Sequence, residues 1–108
     1  MTRFAHECHA ELAPQDIRII DLVAARDETT RSALLRAIIN DATQHAALSL
    51  TDFRPIRRCR SAVLVHIRVS HRTFVALTDL ASHLDTQVAP LVRSLVRKYV
   101  QAASGLVN

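Results

Sequence analysis

The chain has 108 residues, 49% of them apolar but only 4% aromatic and none tryptophan; that suffices for one core built from Leu, Ile, Val and Ala. A single Gly and three Pro leave too little turn punctuation for an all-β fold, and no apolar run is long enough to span a membrane. The net charge of +4 divides unevenly: residues 1–53 hold five Arg against eight acids, a balance of −3, while residues 54–108 hold nine Arg and Lys against two acids, a balance of +7.

The first residues are polar and acidic rather than an apolar stretch of the secretory kind. Two cysteines, Cys8 and Cys59, are too few for a disulfide framework, so a cytoplasmic chain with reduced thiols is expected. The six histidines are scattered, there is no Gly-rich phosphate loop, and neither cysteine has a nucleophile setting. These features argue against an enzyme.

In chain order, the first notable stretch is "AHECHAEL", Ala5 to Leu12. Its imidazoles, thiol and carboxylates are all metal-ligand types. Read as a strand, it places His6, Cys8, Ala10 and Leu12 on one face and Glu7, His9 and Glu11 on the other. Pro14 then fits the first position of a helix, in which Ile17, Ile20, Val23 and Ala24 recur at helical spacing. A second helix follows Thr30, with Leu34, Leu35, Ile38 and Ile39 as its apolar face.

Next comes the connector "AALSLTDFRPIRRCRS", in which Pro55 opposes a continuous helix. From Arg54 to Arg72 there are six Arg and no acid, a density that attracts phosphate backbones. "AVLVHIRVS" alternates as a strand, with Val63, Val65, Ile67 and Val69 on one side and Leu64, His66 and Arg68 on the other. Ser70 is a good N-cap for a helix with Phe74, Leu77, Leu80, Ala81 and Leu84 on one face. Asp85-Thr86-Gln87 interrupts the pattern, and Pro90 suits the first turn of a last helix carrying Leu91, Val92, Leu95, Val96, Tyr99 and Val100.

An offset of 57 positions superimposes the two halves without a gap: Ile17 falls on Phe74, Ile20 on Leu77, Leu34 on Leu91, Ile38 on Leu95 and Arg36 on Arg93. The same offset places His9 on His66 and Leu12 on Val69. "AHECHAEL" is therefore read as the first strand, not a metal site; Val63 and Val65 stand where His6 and Cys8 do. No metal and no cofactor are expected.

"IRVS" leading into a helix, with "TTRSALLRAII" and its echo "TQVAPLVRSLV", resembles the ribbon-helix-helix family of DNA-binding proteins. Having both copies in one chain resembles the tandem accessory proteins of conjugative relaxosomes encoded on plasmids. The resemblance implies a mainly α fold with a short two-stranded antiparallel ribbon, in which two strand-helix-helix copies form a pseudo-twofold unit. Residues 1–46 would be the first copy, 47–60 a basic connector and 61–108 the second copy, all around one core. A monomer with an intramolecular pseudo-dimer, or a homodimer exchanging copies, would satisfy it.

The implied function is sequence-specific binding of double-stranded DNA through the ribbon in the major groove. The chain would act as a transcriptional repressor or as a relaxosome and DNA-processing accessory factor, with other DNA-processing or regulatory proteins as further partners. The implied base contacts are Arg68, His66 and Leu64 of the second strand and Glu7, His9 and Glu11 of the first. A guanidinium can bridge the two acceptors of guanine, Leu64 can touch a thymine methyl, and a glutamate can accept from cytosine N4, although carboxylates repel phosphate. Phosphate contacts fall to Thr30, Arg31 and Ser32, to the weaker second set Gln87 and Val88, and to Arg72, Arg54, Arg57, Arg58 and Arg60. The Gly that the family often has between its helices is replaced by Glu28 and Asp85. The alternative expectation is a protein-interaction module, antitoxin-like or an assembly adaptor, using the acidic first copy.

Overall fold

The computed structural model describes residues 6–45 and 60–107. They form β1 (His6–Leu12), α1 (Pro14–Arg26), α2 (Arg31–His45), β2 (Val63–Val69), α3 (His71–His83) and α4 (Val88–Val107). The architecture is mainly helical with one two-stranded antiparallel sheet. Arg54, Arg57 and Arg58 lie outside the described residues.

A lone strand leaves its backbone N–H and C=O groups unpaired, and here each strand meets the other's demand. The register runs from His6 opposite Val69 to Leu12 opposite Val63, with His9 facing His66 at the centre. The alternation read from the sequence appears as a two-sided ribbon. Cys8, Ala10, Leu12, Val65, Ile67 and Val69 are buried on one side, and Glu7, His9, Leu64, His66 and Arg68 are exposed on the other.

The buried side packs on Ile20, Leu35, Ile39, Leu77, Leu91, Val92 and Val96 in one apolar cluster. Each such side chain contributes about 1.5–3 kcal/mol when fully buried. Packing is crosswise: α4 lies against β1 and α1, while α2 lies against β2 and α3. Phe74, Leu80, Leu34 and Tyr99, read as core residues, are only partly buried at its margin. Val63, read as inward-facing, is 44% exposed. It is the first residue of β2, and Leu12 opposite it is buried, so a place in the pleat does not by itself bury Val63.

Helix boundaries follow local chemistry. Pro14 opens α1, and its missing N–H costs nothing there. Ser70 caps α3: its Oγ accepts from Thr73 N at 3.2 Å. Thr30 caps α2, Oγ1 accepting from Ala33 N at 3.1 Å.

Both inter-helix turns close in the same way. Thr29 N donates to Ala24 O and Glu28 N to Ala25 O; in the second half Thr86 N donates to Ala81 O and Asp85 N to Ser82 O. This paired pattern requires a left-handed residue just past the helix end, and Glu28 (φ 57°) and Asp85 (φ 53°) supply it. A side chain there costs about 1–2 kcal/mol, partly offset by the extra freedom of Gly in the unfolded chain. Glu28→Gly and Asp85→Gly should each raise stability by up to about 1 kcal/mol, read as a higher urea midpoint with unchanged m-value. Substitution of either by Val should lower it.

Candidate nucleic-acid interface

The outer face of the ribbon carries three cross-strand pairs in a row: Glu7 opposite Arg68, His9 opposite His66, and Glu11 opposite Leu64. Side chains directly opposite each other on a sheet face lie within reach. The His9 and His66 rings are 5.8 Å apart and tilted, and His66 Nδ1 is 2.9 Å from Glu7 Oε1. Glu11 is half-buried, whereas Leu64 is 50% exposed, an unusual position for a large apolar side chain. All six base-contact candidates therefore lie on one face of one ribbon.

Two arginines brace that ribbon from below. Arg36 Nε donates to the main-chain O of Arg68 at 2.8 Å, and Arg93 Nε donates to the main-chain O of Glu11 at 3.2 Å. Each brace runs from the second helix of one half to the next-to-last residue of the strand it underlies. The sequence showed Arg36 and Arg93 as matched residues, but not their role, which depends on the strand register.

The phosphate candidates are at the helix starts. Thr30, Arg31 and Ser32 are exposed at the start of α2, whose free N–H groups favour an anion. Gln87 is exposed and Val88 half-buried at the start of α4, where the main-chain O of Gln87 accepts from Leu91 N at 3.2 Å. Arg72 is exposed near the start of α3, and Arg60 is exposed just before β2.

Arg31 is already engaged. Its Nε and Nη2 reach the two carboxylate oxygens of Asp21 at 2.8 and 2.7 Å, a fork-on-fork contact between α2 and α1. The hydrogen bonds from Arg31 hold the Asp21 carboxyl below its ordinary range. A carboxylate so depressed stabilises the fold above its unfolded value, and the gain disappears as pH falls through the lower folded value. With both side chains nearly half exposed, Asp21→Asn should cost under about 1 kcal/mol at pH 7, a difference that urea titrations should find vanishing in acid.

The metal-ligand types of the first strand are dispersed by its alternation. Cys8 is buried beneath the ribbon, and burial raises its thiol pKa, which suppresses the reactive thiolate. His6 stacks on Phe74 with ring centroids 4.5 Å apart, and its Nε2 is 2.8 Å from His71 Nδ1.

Sequence reasoning missed one further feature. Arg97 Nε donates to Asp16 Oδ2 at 2.8 Å, with the Asp16 side chain 4% exposed. At the matching positions 57 residues away, Thr73 Oγ1 donates to Asn40 Oδ1 at 3.1 Å. One corner is ionic and the other neutral. The offset aligned Asp16 with Thr73 and Asn40 with Arg97, so the signal was present, although only the fold makes the members of each pair neighbours.

No family model, no curated protein and no solved structure matches the chain.

Proposed function

We propose that this chain binds double-stranded DNA sequence-specifically, by laying the outer face of its two-stranded ribbon in the major groove. In this reading the chain is a tandem ribbon-helix-helix unit, and its two strand-helix-helix copies are related by a pseudo-twofold axis passing between His9 and His66. The observation that carries the proposal is the exposed row of hydrogen-bonding side chains on a ribbon whose other face is the core. A major groove about 12 Å wide admits a two-stranded ribbon, and each base pair there shows a distinct pattern of donors and acceptors.

Three further observations support it. The register centres on the residues that the 57-residue offset aligns, the inter-helix turns repeat bond for bond, and the arginine braces repeat as well. Arg68 is the principal base contact, and the exposed helix starts with Arg31 and Arg72 take phosphates. A repressor and a relaxosome or DNA-processing accessory factor would use this same chemistry.

The test is fluorescence anisotropy against mixed-sequence duplex at 50 and 200 mM salt. Binding should weaken steeply, because each phosphate contact releases counterions. Absence of binding at 50 mM would overturn the proposal. It would favour instead a protein-docking role for the face bearing Glu7 and Glu11, one that depends on those carboxylates and tolerates loss of Arg68.

A further inference from the structure

The two imidazoles at the centre of the ribbon face each other, yet their neighbours differ. His66 has Glu7 Oε1 at 2.9 Å from its Nδ1. The residue that stands to His9 as Glu7 stands to His66 is Leu64, which has no acceptor to offer. The pseudo-symmetry of the ribbon therefore fails at its centre.

An ionised carboxylate only accepts, so the proton in the Glu7–His66 contact sits on Nδ1 of His66. In a neutral imidazole the other nitrogen is then an acceptor, and among the described residues Nε2 of His66 has no hydrogen-bond partner.

We propose that Glu7 is a positioning residue that holds His66 as the Nδ1–H tautomer, so that Nε2 reads a base bearing an exocyclic amine, adenine or cytosine. This rests on the DNA-binding reading above. In the major groove only adenine N6 and cytosine N4 are donors, whereas guanine N7 and O6 and thymine O4 are acceptors. An acceptor aimed at another acceptor leaves a hydrogen bond unmade and two groups desolvated without return. His9, with Leu64 in place of the carboxylate, is not locked and imposes no such choice. The preferred site is therefore asymmetric at its centre, despite the near-symmetry of the ribbon's backbone.

Two measurements test this. The first is long-range ¹H–¹⁵N NMR of the imidazoles in the DNA-free protein at pH 8, where an imidazole is ordinarily neutral. His66 should show a protonated Nδ1 in the wild type and lose that bias in Glu7→Leu. The second measures affinities for duplexes that differ singly at the central base pairs of a site obtained by random selection. One position should favour an amine-bearing base by about tenfold, and Glu7→Leu and His66→Ala should each reduce that ratio to below about threefold. Because Glu7→Leu also removes a charge, the ratio between bases is read, not the overall affinity. Asp79→Asn, on the exposed face of α3, serves as the charge control and should leave the ratio intact.

A wild-type His66 protonated on Nε2 would overturn the inference, as would an unchanged base ratio in Glu7→Leu; in either case DNA binding itself would stand. Failure of the wild type to bind any duplex would overturn both readings together, and the NMR result would show whether the tautomer lock exists without them.

Discussion

Replacing Arg97 with alanine should destabilise the fold by about 3 kcal/mol or more, because it strands a buried carboxylate. Asp16 sits in the first turn of α1 with its side chain 4% exposed, while the Arg97 side chain keeps 29% of its surface in water. The two losses are therefore unequal. Asp16→Asn lets Arg97 turn to solvent and should cost about 1–2 kcal/mol, the penalty of an imperfectly satisfied polar group. Among the described residues, loss of Arg97 leaves the charge on Asp16 the α1 N-terminal dipole to stabilise it. The second half of the fold suggests the repair. Asp16→Thr combined with Arg97→Asn installs the chemistry that Thr73 and Asn40 use at the matching corner, and it should recover most of the loss. Urea unfolding of the two single variants and the double variant gives the coupling directly. A cost below about 1 kcal/mol for Arg97→Ala would mean that the Asp16 carboxylate reaches water.

The second large effect concerns binding. Arg68→Ala should lower affinity for the preferred duplex by about 5–150-fold, the span of a bidentate base contact. Affinity for unrelated duplex should change far less, and the salt dependence should be nearly unaltered, since a base-reading arginine releases few counterions. Arg68 is suited to this role because its backbone is held by the Arg36 guanidinium at 2.8 Å while its side chain is exposed. The brace fixes where the Arg68 side chain leaves the ribbon, so docking orders the side chain alone and not the backbone beneath it. A uniform loss across all sequences, with a shallower salt slope, would reassign Arg68 to phosphate.

Much of this fold was legible in the sequence because its period is strong. Val65, Ile67 and Val69 alternate and are buried as read; Ile17, Ile20, Val23 and Ala24 repeat at helical spacing and form the buried face of α1. Pro14 and Ser70 announced the helix starts that they occupy. The exposed row from Glu7 to Arg68 followed from the alternation alone. Less visible were contacts set by tertiary geometry. The Asp21–Arg31 fork joins residues across an inter-helix turn, and the Glu7–His66 contact depends on a register that no local pattern specifies. Val63 kept its place in the alternation yet lies exposed, because burial at the end of a ribbon depends on whether a helix extends over it. The absent glycines obscured the turn geometry, since Glu28 and Asp85 adopt a backbone conformation that their residue types do not advertise.

The most direct test of the central claim is an NMR titration of the ¹⁵N-labelled protein with duplex DNA. Shifts should concentrate on the outer ribbon face at Glu7, His9, Leu64, His66 and Arg68, with a second group at the start of α2 and around Arg72. Shifts confined to other faces of the helices, with the ribbon signals unmoved at saturating duplex, would contradict it.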